Sequence, residues 1–168
     1  MRFRFAVTAV LIGIFACTAF AQVEVEIRTP DVIVLRGTYF SARKPGPGVL
    51  LFHQSNRTRH SWDDVAKRLA AAGINTLTVD SRAHGDSGGK FDAWTDPDRT
   101  HARASLSADL DAAFRFLSSQ TGVMRDRIGL GGAGLLGVDN AVRTARQHSA
   151  DVKSASPKPR LLSRGMTS

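Results

Sequence analysis

The stretch Ile128-Gly-Leu-Gly-Gly-Ala-Gly-Leu-Leu-Gly-Val-Asp-Asn140 reads as a buried strand, a glycine-rich turn and the start of a helix. Residues 128–130 form the apolar strand. Over 138–147 the apolar Val138, Val142 and Ala145 recur at helical spacing. The turn between them holds no Ser, Cys or Asp. Asp139 falls at the beginning of the helix, where an acid is a favourable partner of the helix dipole. Gly129, Gly131 and Gly134 also match G-x-G-x-x-G, the dinucleotide-binding fingerprint. That fingerprint needs a following strand with an acid at its end about 20 residues on. Asp151 comes early for that role and lies outside a convincing strand, so a dinucleotide-binding module stands as an alternative.

Upstream of this turn, strands and helices alternate. Residues 23–27 alternate in polarity, as a half-exposed strand does. Residues 31–40 are a second β-rich run, with Gly37 inside it marking a bulge. Lys44-Pro-Gly-Pro-Gly48 is turn chemistry, and 49–52 is a continuous apolar strand. Ser61-Trp-Asp-Asp64 has the form of a capping box. Val65, Leu69 and Ala72 follow at helical spacing, and Gly73 closes that helix. Residues 74–79 are another apolar strand, and 85–89 a glycine-rich loop. Leu106, Leu110, Ala113, Phe114 and Leu117 make one helix face, which Gly122 ends. The order predicts an α/β fold: a mostly parallel sheet with helices on both faces, preceded by a β-hairpin.

The 168 residues carry a net charge of +8. Arg2, Arg4, Lys153, Lys158, Arg160 and Arg164 stand near the two ends and leave a nearly neutral body, which argues against a nucleic-acid partner. The N-terminus has the three parts of an export signal: Arg2 and Arg4, an apolar run over 6–20, and Ala19-Phe20-Ala21 as a cleavage site. Cleavage after Ala21 predicts a secreted or periplasmic chain starting at Gln22, with no membrane association afterwards. A lipoprotein anchored at Cys17 is the alternative. Cys17 is the only cysteine, so a chain cut after Ala21 has no disulfide and no thiol nucleophile. The five histidines show no metal spacing, and no cofactor is predicted. Arg57, Arg59 and His60 read as a solvated basic loop.

Two further motifs carry a resemblance. Gly48-Val-Leu-Leu-Phe-His-Gln54 ends a strand in His-Gln, and Val79-Asp-Ser-Arg-Ala-His-Gly-Asp-Ser87 follows the next strand. With the turn at 131–137, they make residues from about Val25 to Lys153 similar to the α/β-hydrolase superfamily, near the secreted dienelactone-hydrolase-like esterases. The resemblance implies an oxyanion-hole loop at His53 and Gln54, with Gln54 offering a backbone N–H. It implies a structural role for Asp80, Arg82 and Gly85, with Ala83 where the family has a glycine. It also implies a nucleophile on the turn, flanked by glycines.

Gly132 and Gly137 are the elbow glycines. Counted from Gly132, the nucleophile position is Gly134, with Leu136 where a glycine belongs. Counted back from Gly137, it is Leu135. Neither side chain can attack a carbonyl. The family's acid and His follow the elbow in that order, whereas here His148 precedes Asp151. His148 reads as a structural residue at a helix end. The expectation is a truncated hydrolase fold without its last strands and without a competent triad, from a fragment or a shifted reading frame. The domain would run over 22–153, with a solvated basic tail over 154–168. The strand at 128–130 would be an exposed edge able to drive self-association. Small esters or lactones enter as substrates by resemblance alone, and a non-catalytic binding protein is the remaining alternative.

Overall fold

A computed structural model describes residues 21–89 and 99–152. The leader before Ala21, Cys17, Trp94 and the tail over 154–168 lie outside the described residues. Five strands form one sheet: β1 (Ala21–Arg28), β2 (Val34–Ser41), β3 (Gly46–Phe52), β4 (Asn75–Val79) and β5 (Val123–Gly132). A 3₁₀ turn (Arg59–Trp62) leads into helix α1 (Asp63–Ala71); α2 spans Arg99–Ser119 and α3 Gly134–Gln147. The sheet order is β1-β2-β4-β3-β5. β1 and β2 form the expected antiparallel hairpin, and β2 meets β4 antiparallel. β4, β3 and β5 run parallel. The sheet is therefore mixed, with its parallel half centred on β3.

Alternate residues of the strands face opposite layers. Leu50, Phe52, Leu77 and Val79 join Leu110, Ala113, Phe114 and Leu117 of α2 in the main core, with Ala141 of α3 against it. Phe40 packs with Ala66 and Ala70 of α1 on the other face. The connections leaving β3 and β4 thus cover opposite faces. β3 lies between the strands that these connections reach, so its C-terminal end is a topological switch point.

Several local expectations are corrected. β2 starts at Val34, because 29–33 form the hairpin turn, in which Val32 N–H donates to Thr29 O at 2.9 Å. Gly37 sits in unbroken register between Val25 and Val79, so there is no bulge. It is glycine because a Cβ would stand 3.1 Å from Leu77 Cδ1, Thr78 O and Val25 Cγ2. Gly46, Pro47 and Gly48 belong to β3, not to a turn. The register shifts between Gly46 and Gly48, at the proline that lacks an N–H.

The capping box does not form. Trp62 is the N-cap of α1 and its side chain makes no capping bond, and the Ser61 hydroxyl donates to Thr58 O at 2.8 Å. The buried face of α1 is Ala66 and Ala70, while Val65 is exposed. On α3, Val138 and Val142 are exposed, and Gly137, Asn140 and Thr144 are buried. Asp139 lies beyond the first turn of α3 and pairs with Arg143 at 2.6 Å.

β5 is longer than the apolar run suggests and is the last strand in the order. Among the described residues, Val152 meets it in a parallel bridge at Ile128. Asp151 itself lies in the turn after α3, where its N–H donates to His148 O at 2.9 Å. No helix among the described residues is long and apolar enough to cross a membrane.

Candidate functional site

The C-terminal ends of β3, β4 and β5 converge with the N-terminus of α3. Phe52 O at the end of β3 accepts two hydrogen bonds, from Ala133 N–H at 3.1 Å and from Trp62 Nε1–H at 3.1 Å. The next residue, His53, is fully buried. Its Nδ1 lies 2.8 Å from Gln54 O, and its Nε2 accepts the Ser81 N–H at 2.9 Å. Burial holds the His53 ring below the ordinary histidine value, opposed by the bond to the Gln54 carbonyl. Asn140 of α3 reaches the same loop through Ser81 Oγ at 3.4 Å.

The turn between β5 and α3 is set by three glycines. Gly134 takes φ +63, a left-handed conformation that side chains resist. A Cβ there would also stand 2.6 Å from Gln54 Cγ. A Cβ on Gly132 would overlap Gly137 O, and one on Gly137 would stand 2.6 Å from Phe52 O. The first turn of α3 thus rests on two strand ends with backbone against backbone. The close approach falls at 137, so Leu136 is accommodated where the family pattern expects a glycine. Leu135 is helical and 87% exposed.

Gly129 and Gly131 lie within β5, paired with Val49 and Leu51. The dinucleotide fingerprint requires its first glycines in the turn that approaches the phosphates, so this turn does not have that geometry.

The loop after β4 is held by two ion-pair systems. Arg59 is 2% exposed and donates to Asp80, to Asp86 at 2.7 Å, to Glu24 at 3.3 Å and to Thr38 Oγ1 at 3.2 Å. Asp80 Oδ1 also accepts the Arg59 N–H at 2.6 Å. The basic loop is therefore not solvated at Arg59, whose charge is taken up by carboxylates. Arg82 forks onto Asp109 at 2.6 and 2.9 Å and onto Asp31 at 2.7 and 3.0 Å. Burial raises the Asp109 carboxyl above its ordinary value, and Arg82 opposes this. Arg82 and Asp80 thus hold the loop, as the motif implied. Gly85 (φ +52) and Ala83 (φ +59) take its left-handed positions.

His148 caps the end of α3, stacked on Phe114 with ring centres 3.8 Å apart and 3.2 Å from Asp111. It is a packing residue of α3 and α2. The cavity behind the strand ends, lined in part by Phe52, Ser81, Asp109 and Asn140, measures about 10 Å³, the scale of one water molecule. Among the described residues no group of three or more His, Cys, Asp or Glu is placed to hold a metal ion.

Ser81, Asn140 and Trp62 were not singled out from the sequence as parts of this region, and Arg59 was read there as a solvated loop residue. A signal for Asn140 exists: Gly137, Asn140 and Thr144 recur at helical spacing, and a glycine marks the helix face that touches other backbone.

No protein-family model matches the chain. A thiohydrolase, apmlB, of Arthrinium phaeospermum is 34% identical over 113 residues, 67% of this chain and 35% of that protein. The esterase Pf2001 of Pyrococcus furiosus superposes with a TM-score of 0.62 at 27% identity, over 79% of this chain and 49% of that one. A dienelactone hydrolase-like promiscuous phosphotriesterase, P91, from metagenomic libraries superposes with a TM-score of 0.58 at 23% identity, over 76% of this chain and 55% of that one. The chain therefore spans between about a third and just over half of the length of these proteins.

Proposed function

We propose, on the premise that the chain belongs to the α/β-hydrolase superfamily, that it is an exported member of the dienelactone-hydrolase-like esterase branch whose elbow turn lacks a nucleophile. The observation that carries this reading is Gly134. It occupies the left-handed turn between β5 and α3, beside the end of β3, and has no side chain. Gly132 and Gly137 are the elbow glycines of this reading, and His53 and Gln54 its oxyanion-hole loop. Acyl transfer through a covalent intermediate needs an oxygen or sulfur where Gly134 stands. An oxyanion pocket without one contributes only a small part of the rate. Small esters or lactones are the substrate class this branch suggests, bound without covalent turnover.

The direct test exposes the purified protein to a fluorophosphonate and to p-nitrophenyl esters, read by intact mass and by absorbance. No adduct and no hydrolysis above buffer are expected. A stoichiometric adduct on a serine would overturn the reading.

Export rests on the leader alone; a cut after Ala21 would remove the Ala21–Ser41 pair of β1 and leave Gln22 onward paired with β2. The mass of the exported chain tests it: a start at Gln22 is expected, and a lipid on Cys17 is the competing outcome. We further propose that copies associate through the outer edge of β5 beyond its bridge to Val152, beside the exposed Leu135, Val138 and Val142 of α3. A monodisperse monomer at high concentration would contradict that.

A further inference from the structure

We propose that His53 is a pH-operated clasp: its neutral ring ties the loop after β4 to the end of β3, and protonation releases that loop. The hydrogen-bond partners set the charge state of the ring. The Gln54 carbonyl can only accept, so Nδ1 carries the hydrogen; the Ser81 N–H can only donate, so Nε2 presents a lone pair. Both nitrogens are committed, at 2.8 and 2.9 Å, in a fully buried ring. A proton on Nε2 would point one N–H at another, and the buried Ser81 contact would be lost.

Burial and His84 outweigh the Gln54 carbonyl and Asp80, so on balance the surroundings disfavour an imidazolium there. The loop after β4 presents His84, its ring centre 5.2 Å from that of His53, and a positive charge on that ring disfavours one on His53. The same loop presents Asp80, whose carboxylate is already engaged by Arg59 from the 3₁₀ turn and by the Asp86 N–H. Gln54 on the near side is neutral. From α3 come Gly134, Gly137 and Asn140, and from the 3₁₀ turn Trp62, none of them charged. Burial disfavours the charged ring as well.

The release would propagate. Ser81 also receives Asn140 Nδ2, so freeing it slackens the hold of the loop on α3, whose first residue is Gly134. Acidification would thus loosen the loop at Ser81 together with its hold on the turn, while the ion pairs of Arg59 and Arg82 keep Asp80, Arg82 and Asp86 of the same loop in place. The clasp stands on the His53 contacts and needs no turnover at Gly134.

The test uses the full, isotope-labelled chain between pH 8 and pH 5. Ring nitrogen shifts report the charge on His53, and hydrogen exchange, corrected for its intrinsic pH dependence, reports the Ser81 amide. The expected result is a fall in Ser81 protection of at least about threefold, the scale of one hydrogen bond, with the same midpoint as His53 protonation. His53→Gln keeps an acceptor and removes the titration, so its Ser81 protection should be flat with pH. If that variant does not fold, His84→Gln serves instead: removing the ring whose electrostatic effect lowers His53 should move the midpoint upward. Ser81 protection that stays constant while His53 charges would overturn the proposal. So would a His53 ring that remains neutral down to the pH at which the whole chain unfolds.

Discussion

Gln54 lies against Gly134: a Cβ built on Gly134 would come 2.6 Å from Gln54 Cγ and 3.2 Å from Gln54 Cβ. Gln54 is exposed and can swing aside, whereas the φ of +63 cannot relax without moving α3. Backbone strain, not the clash, should therefore dominate any substitution. Gly134→Ser is expected to lower stability by about 1–2 kcal/mol and to produce no esterase activity, because a hydroxyl without a general base remains a weak nucleophile. Adding Gln54→Ala should recover less than about 0.5 kcal/mol, as expected of an exposed surface change. Urea denaturation and fluorophosphonate labelling of both variants check this.

The hairpin tip carries a second strained residue. Val32 has φ +67, is β-branched and is 73% exposed, so glycine there removes strain and loses little packing. Val32→Gly should raise stability by roughly 0.5–1 kcal/mol, the steric relief outweighing the added freedom of the unfolded chain. An unchanged or lower urea midpoint would contradict the strain assignment.

Arg59 is the ion whose loss should matter most. It is buried against Asp80, itself fully buried, and its removal leaves that carboxylate uncompensated. Arg59→Leu should cost about 3–5 kcal/mol. Asp80→Asn in the same chain should cost less than the sum of the two single changes, since each alone strands the other charge. A double-mutant cycle by chemical denaturation measures the coupling.

The Asp31–Arg82 pair makes part of the stability acid-labile. Hydrogen bonds from Arg82 and then Thr29 lower the Asp31 carboxyl to about 2. A lowered folded-state value means stability that is present above the unfolded value of 3.8 and lost as pH falls toward 2. Asp31→Asn should remove that share of the slope between those values and leave the neutral-pH slope unchanged. Denaturation midpoints collected across the acid range decide it.

The apolar stripe Leu135, Val138 and Val142 faces outward on α3. Val138→Lys with Val142→Lys should reduce self-association measured by sedimentation and leave the melting midpoint within a few degrees, because neither side chain is in the core. Equal association in the variant would place the contact elsewhere.

Much of the candidate site was legible as motif. His53-Gln54 after an apolar strand, Asp80-x-Arg82 after the next, and the glycines at 132, 134 and 137 lie together at one end of the sheet. Helix faces were read less well. α1 buries Ala66 and Ala70 while Val65 stays out, and α3 buries Gly137, Asn140 and Thr144 while Val138 and Val142 stay out. On α1 and α3 hydrophobicity alone pointed to the wrong stripes, whereas on α2 the stripe of Leu106, Leu110, Ala113, Phe114 and Leu117 does face the core. α3 must approach two strand ends backbone to backbone, and only small residues permit that distance.

The sequence by itself determined the alternation of strands and helices, and it put no Ser, Cys or Asp at 131–137, because residue type and short-range spacing settle both. The tertiary structure decided which partners those residues have. It brought Arg59 to Asp80 across 21 positions, Ser81 to the ring of His53 across 28 and Asn140 to Ser81 across 59. It also assigned the left-handed conformation to Gly134 itself. Such pairings depend on where β3, β4 and β5 end beside one another in the sheet, and no local pattern carries that distance.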